Sequence, residues 1–241
     1  MHQEIKELFT CITNLVEAYR DMGFDPPPIR SEEIAHTEKD AGENNKPSPA
    51  LYVSDSLKAL EASIGNCRLC KLHNQRRHLV FGEGNQKATL VFVGEGPGVD
   101  EDLSGLPFVG EAGKLLTRII ENGMGLSRED VYICNVVKCH PPKNRDPEED
   151  EIENCMPFLK KQISIIKPKV ICALGRIAGR AMLGESFKIT RDRGKWFSFM
   201  DIPVLATYHP AYVLRYPTAK RQVWDDVKEI MKHLGLEVKN G

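Results

Sequence analysis

Apolar residues recur along this chain at two spacings, and the change between them sets its organisation. Near the start, Ile5, Leu8, Phe9, Ile12, Leu15, Val16 and Tyr19 stand three or four apart, which predicts one amphipathic helix that Gly23 stops. From residue 88 onward, short apolar runs alternate with helical periodicity. Strands are predicted at residues 89–93, 131–137, 169–174 and 202–207, and helices at 111–123, 147–166, 176–183 and 218–234. Asp146, Pro147, Glu148 and Glu149 read as a helix start: a cap, a first-turn proline and acids at the positive end of the dipole. Strands that are apolar throughout, alternating with helices, indicate a parallel sheet covered on both faces, a three-layer α/β/α arrangement.

Residues 24–50 break the pattern. Pro26, Pro27, Pro28, Pro47 and Pro49 punctuate a stretch rich in Glu, Asp, Asn and Lys with almost nothing to bury, which reads as a linker. The expected organisation is an N-terminal amphipathic helix in 1–23, a Pro-rich acidic linker in 24–50, and an α/β domain in 51–241. A chain of 241 residues has room for one such domain of roughly 200 residues and an appendage. No apolar run approaches the roughly 18 residues that span a bilayer. The opening MHQEIKELFT carries acids where a signal peptide has basic residues ahead of an apolar stretch. A cytoplasmic protein without a membrane partner is expected.

Charge changes the picture once it is divided. The totals, 33 Lys+Arg and 34 Asp+Glu, look unfavourable to a nucleic-acid partner. Residues 1–50 hold five basic and ten acidic side chains, a balance of −5; the remaining 28 basic and 24 acidic side chains leave the body at +4. Clusters at Arg76, Arg77 and His78, at Arg191, Arg193 and Lys195, and at Arg215, Lys220 and Arg221 are candidates to meet phosphates, the alternative being a solvated surface.

In parallel sheets ligands bind beyond the carboxyl ends of the strands, and the distinctive residues of this chain fall there. The first predicted strand runs into Gly94-Glu95-Gly96-Pro97-Gly98, with Glu101 and Asp102 following. The second contains Asn135 and leads to Lys138, Cys139 and His140, and the last runs into Tyr208-His209-Pro210-Ala211-Tyr212. The glycine-rich turn lets backbone approach a ligand, but it lacks the dinucleotide fingerprint and the Gly-Lys-Ser/Thr of a P-loop. An asparagine in an apolar strand must find partners, from a ligand or by bridging backbone. Seven cysteines in a reducing compartment do not read as a disulfide framework. Cys67-x2-Cys70 and Cys139-x15-Cys155 form two pairs suited to a tetrahedral zinc or an iron–sulfur cluster, and the wide second pair leans toward the cluster. Cys11, Cys134 and Cys172 read as small buried residues. His2, His36, His73, His78 and His233 read as surface residues and His140 as a loop residue.

Taken in order, Cys67-x2-Cys70, Gly94-Glu95-Gly96-Pro97-Gly98 with Glu101-Asp102, Leu106-Pro107-Phe108-Val109-Gly110, Asn135-Val136-Val137-Lys138-Cys139, Pro141-Pro142-Lys143-Asn144-Arg145, Cys155 and His209-Pro210-Ala211-Tyr212 resemble the family 4, iron–sulfur, uracil-DNA glycosylases. The resemblance spans about residues 57–234. It implies a four-stranded parallel sheet between helices, a [4Fe-4S] cluster on Cys67, Cys70, Cys139 and Cys155, and hydrolytic release of uracil from DNA. It further implies a pocket in which Phe108 stacks on the base, Asn135 reads the pyrimidine edge, and His209 hydrogen-bonds the departing uracil anion. Glu95 or Glu101 would orient water or stabilise the cationic sugar, with Gly96 offering backbone N–H and room and Asn144 helping to position the substrate or its loop. Leu214 would wedge into the duplex while Arg215 meets phosphate, and the cluster would present Lys138, Lys143 and Arg145 toward DNA.

Two other readings compete. One branch of the superfamily traps the sugar covalently, but it carries a Lys-Arg-Arg-Ile-His insertion after the second strand, where this chain continues Cys139-His140-Pro141-Pro142. The second is a metal-stapled nucleic-acid-binding module without catalysis, which has no need of Glu95, Asn135 and His209 together. The acidic tail lies outside the resemblance; its apolar stripe is left to dock on the body, pair with another copy or meet a protein partner.

Overall fold

The computed structural model describes residues 56–238; the expected helix and linker within residues 1–50 lie outside them. The sheet has six strands rather than four, in the order β1-β3-β2-β4-β6-β5. Its centre is the expected parallel set: β2 (Leu90–Gly94), β3 (Tyr132–Asn135), β4 (Val170–Leu174) and β6 (Ile202–Thr207). Two short antiparallel strands complete the edges, β1 (Glu83–Gly84) on β3 and β5 (Trp196–Phe199) on β6. Neither was legible, because β1 has only two residues and β5 turns into β6 through Met200 and Asp201, both at positive φ and neither a glycine.

Alternation along the strands divides the core in two. Val91, Val93, Cys134, Ile171, Ala173 and Val204 face one side, under α1 (Leu57–Ile64), α4 (Glu149–Ile166) and α5 (Gly175–Leu183). Leu90, Phe92, Ile133, Val170, Cys172 and Leu205 face the other, under α3 (Glu111–Arg118), the π-helical turn Ile119–Met124 that continues it, and α8 (Lys220–Leu234). Both faces are therefore dry, as a parallel sheet requires, and each fully buried branched side chain contributes about 1.5–3 kcal/mol. Cys134 and Cys172 are buried as expected.

The start of α4 differs from the sequence reading. Glu148 is the N-cap residue, its N–H donating to Glu151 at 2.8 Å, while Asp146 pairs with Arg176 at 2.5 Å instead of capping. Three short helices complete the chain: α2 (Val99–Ser104), α6 (Ile189–Asp192) and α7 (Pro210–Arg215). Register then places the chemistry, because Gly94 lies opposite Asn135 and Leu174 opposite Thr207. The segments that follow β2, β3 and β6 open on one end of the sheet. Among the described residues no helix is long and apolar enough to cross a membrane.

Candidate active site

At that end lies a cavity of about 480 Å³, lined among others by Glu95, Gly96, Glu101, Phe108, Asn135, Asn144, Arg145, His209 and Arg215. Its size suits a small ligand. Asn135 forms the floor: it is 1 % exposed and its Oδ1 has no hydrogen-bond partner among the described residues. A buried amide oxygen left so costs about 1–3 kcal/mol. Gly94 explains how it fits, since a Cβ there would stand 2.3 Å from Asn135 Oδ1 and 2.5 Å from the Phe108 ring.

Phe108 is buried with φ 53°, a conformation an aromatic residue rarely adopts, and its ring centroid lies 5.5 Å from that of His209. Glu101 holds it there. One oxygen of that carboxylate accepts the N–H groups of Val109 and Gly110 at 2.9 and 3.0 Å, and the other accepts that of Gly98 at 3.0 Å. Glu101 thus ties the turn after β2 to the segment that carries Phe108, and both its oxygens are occupied.

Glu95 is the contrary case. Its carboxyl makes no hydrogen bond among the described residues, and burial, aided by Asp146 and opposed by Arg176, pushes its pKa up to about 7. Two carboxylates six residues apart therefore have different capacities: one is a brace, the other can take or give up a proton near neutrality.

His209 caps α7, accepting the N–H of Ala211 on Nδ1 at 3.1 Å. That bond assigns the proton of the neutral ring to Nε2. Burial, with Arg215 adding to it, lowers its pKa to about 4, so the imidazole is neutral at physiological pH and donates through Nε2. Gly175, at φ 92°, gives it room, since a Cβ there would meet His209 Cβ at 2.9 Å.

A model of the Uracil DNA glycosylase superfamily matches residues 81–228 of this chain. The chain is 48 % identical over 184 residues to a type-4 uracil-DNA glycosylase of Sulfurisphaera tokodaii, covering 73 % of this chain and 84 % of that protein. It is 44 % identical over 192 residues to one of Thermotoga maritima, covering 78 % of this chain and all of its relative (100 %). It belongs to the type-4 uracil-DNA glycosylases. A type-5 uracil-DNA glycosylase of Pyrobaculum aerophilum is more distant, at 31 % over 144 residues, covering 53 % of this chain and 63 % of the other.

The cysteines of this type-4 chain meet elsewhere. Cys67, Cys70, Cys139 and Cys155 line one small cavity together with Arg76 and Lys138. Among the described residues no group of three or more His, Cys, Asp or Glu side chains is placed to hold a metal ion. Two N–H groups aim at the sulfurs: Arg76 Nη1 lies 3.2 Å from Cys139 Sγ, and the Lys138 N–H lies 3.3 Å from Cys155 Sγ. Burial raises the thiol pKa of Cys70, Cys139 and Cys155, the last to about 12, and their mutual repulsion adds to it.

Several expected phosphate contacts are engaged with acceptors of the protein itself. Lys138 is 1 % exposed, which corrects its expected place facing DNA. Arg145 lines the cavity, but its guanidinium forks onto Glu151 at 2.7 and 2.8 Å. Burial acts against the Glu151 carboxylate, yet Arg145 and the Glu148 N–H hold its pKa below the usual range. Arg193 pairs with buried Asp226 at 2.7 Å and Arg191 with Asp192 at 2.6 Å. Lys143 and Leu214 are exposed, and Arg215 stands exposed on the cavity rim. His73 and His78 hydrogen-bond main-chain carbonyls of Cys70 and Asp102, and His140 that of Pro97, so these rings fasten loops. Sequence reasoning missed the ring series Tyr208, Tyr212 and Tyr216, the first pair stacked and the second tilted, with successive centroids 4.7 Å apart; its i, i+4 spacing was the available signal.

Proposed function

We propose that the cavity at the strand ends is the uracil pocket and that its residues divide the reaction among them. The chain is a hydrolytic uracil-DNA glycosylase of DNA repair. The observation that carries the assignment of roles is the buried, unpartnered Asn135 oxygen beside the Phe108 ring and a neutral His209. A flipped uracil stacks on Phe108, which returns about 1–3 kcal/mol of the cost of leaving the helix. Its ring N–H donates to Asn135 Oδ1, satisfying an acceptor that otherwise has no partner. His209 Nε2–H donates to the uracil oxygen on which charge collects as the glycosidic bond breaks. Glu95, free and ionised above about pH 7, orients water or offsets the positive charge on the sugar. Glu101 fixes the pocket wall, while Gly96 and Asn144 shape the entrance. Leu214 wedges and Arg215 and Lys143 meet phosphate; Arg145 contributes through the loop it braces.

The proposal includes a [4Fe-4S] cluster on Cys67, Cys70, Cys139 and Cys155. The fit rests on four thiols around one cavity and two N–H donors directed at their sulfurs. When bound, the cluster ties residues 67–70 to residues 139 and 155 and takes no part in bond cleavage. Cytoplasmic location belongs to the same reading, supported by thiol ligands that need a reducing compartment. A protein partner for residues 1–23, or self-association through them, belongs to the proposal on their apolar spacing alone.

Single-turnover excision from a uracil-containing oligonucleotide, with an iron count, tests it. Free uracil, an abasic product and about four irons per chain are expected. Intact binding without release would favour a non-catalytic binder, and a denaturant-stable DNA adduct would favour covalent trapping. Colourless, active protein holding one zinc would overturn the cluster.

A further inference from the structure

Between the uracil pocket and the cysteine cavity sits a buried cation without an anion. Lys138 is 1 % exposed, and its ammonium donates to the main-chain carbonyl of Asn135 at 2.7 Å and to Gln162 Oε1 at 2.6 Å. Gln162 has no alternative orientation, because its amide nitrogen is taken by Phe81 O at 2.9 Å and Tyr132 OH at 3.1 Å. Two of the ammonium's three N–H groups thus meet neutral acceptors, and among the described residues no Asp or Glu pairs with it. A buried charge balanced only by neutral dipoles is unfavourable. Lys138 also lines the cavity of the four cysteines, and its own N–H points at Cys155 Sγ. Four thiolates carrying an iron–sulfur cluster are net anionic, and they are the one source of negative charge within that cavity.

We infer that Lys138, alongside the Arg76 guanidinium that touches Cys139 Sγ, is a counter-cation of the cysteine cluster and, through the Asn135 carbonyl, the positioning residue for the asparagine that reads uracil. The inference rests on the proposed pocket and cluster. The cluster anion holds the ammonium in place, the ammonium holds the strand end, and the strand end sets the Asn135 side chain. Coupling of this kind is reciprocal: whatever the cluster does for uracil binding, uracil does for cluster retention.

Wild-type holoprotein gives the first test. Saturating free uracil slows iron loss to a chelator several-fold, and partly stripped protein binds uracil less tightly in proportion to iron lost. Lys138→Met holoprotein, with a side chain of similar length and no charge, loses iron faster. Its rate is the same with and without uracil, and its Kd for free uracil rises about tenfold. A general packing defect would speed iron loss but leave the uracil protection ratio unchanged, so that ratio decides. Wild-type iron loss indifferent to uracil, or a Lys138→Met protein keeping the wild-type ratio, overturns the inference. Should the variant not accumulate with iron, the wild-type measurement decides alone. Uracil excision by the same wild-type preparation is the control: its absence would sink the proposed pocket, its presence with no coupling only this inference.

Discussion

Two sets of buried polar groups in this molecule are treated in opposite ways. Behind β6, Asp226 is 2 % exposed and fully engaged, accepting from Thr207 at 2.5 Å and from Arg193 at 2.9 Å. At the strand ends, Asn135 keeps an unpaired oxygen and Glu95 an unpaired carboxyl. The first set is scaffold, its groups having exchanged water for each other. Of the second, the Asn135 oxygen has given up water without gaining a protein partner, and Glu95, half-buried on the cavity wall, keeps its carboxyl unpaired, so substrate can offset both. Satisfaction of hydrogen bonds, rather than burial or charge, separates the groups that hold the fold from those that act.

Substitutions sharpen that contrast. Asn135→Leu should show the largest effect on activity, a fall in single-turnover uracil release of about a hundredfold, roughly 2.7 kcal/mol. Its Tm should hold or rise, since an unsatisfied acceptor is removed; a large drop in Tm would make Asn135 scaffold after all. Asp226→Ala should do the reverse, costing about 3 kcal/mol in denaturant unfolding because Arg193 loses its partner. Release per folded molecule should change far less than for Asn135→Leu.

Glu95 titrates across the working range. Its folded pKa is raised from 4.5 to about 7, so the folded state binds the proton more tightly than the unfolded one. Stability from this group is present below about pH 4.5, falls as pH rises through the window, and has gone above about pH 7, a loss on the order of 1–3 kcal/mol. Glu95→Gln should therefore unfold at higher temperature than wild type at pH 8 and equally at pH 4. Excision by wild type should climb through about pH 7, while the variant should be slow and flat. The smallest effect belongs to the rim: Arg215→Ala should weaken DNA binding modestly and reduce the salt slope by about one.

Much of this was legible before the fold was known. The four parallel strands were, because their residues are apolar on both faces, and so were the loops that follow them, because Gly94-Glu95-Gly96 and His209-Pro210 sit where strand periodicity stops. Roles within the loops were not. Glu95 and Glu101 are the same residue type, and only the three N–H groups around Glu101 tell them apart. Lys138 looked like a surface cation because nothing local in the chain announces that Gln162, 24 residues on, will enclose its ammonium. Pairing across that distance is a property of packing.

The two edge strands that escaped detection have a consequence of their own. A parallel sheet ending on β3 or β6 would present an open ladder to any passing chain. Here one side ends in two residues and the other in four, flanked by Lys195 and the Met200–Asp201 bend. Neither offers enough straight backbone to template another strand, so the central sheet is guarded against growing by addition of its own copies.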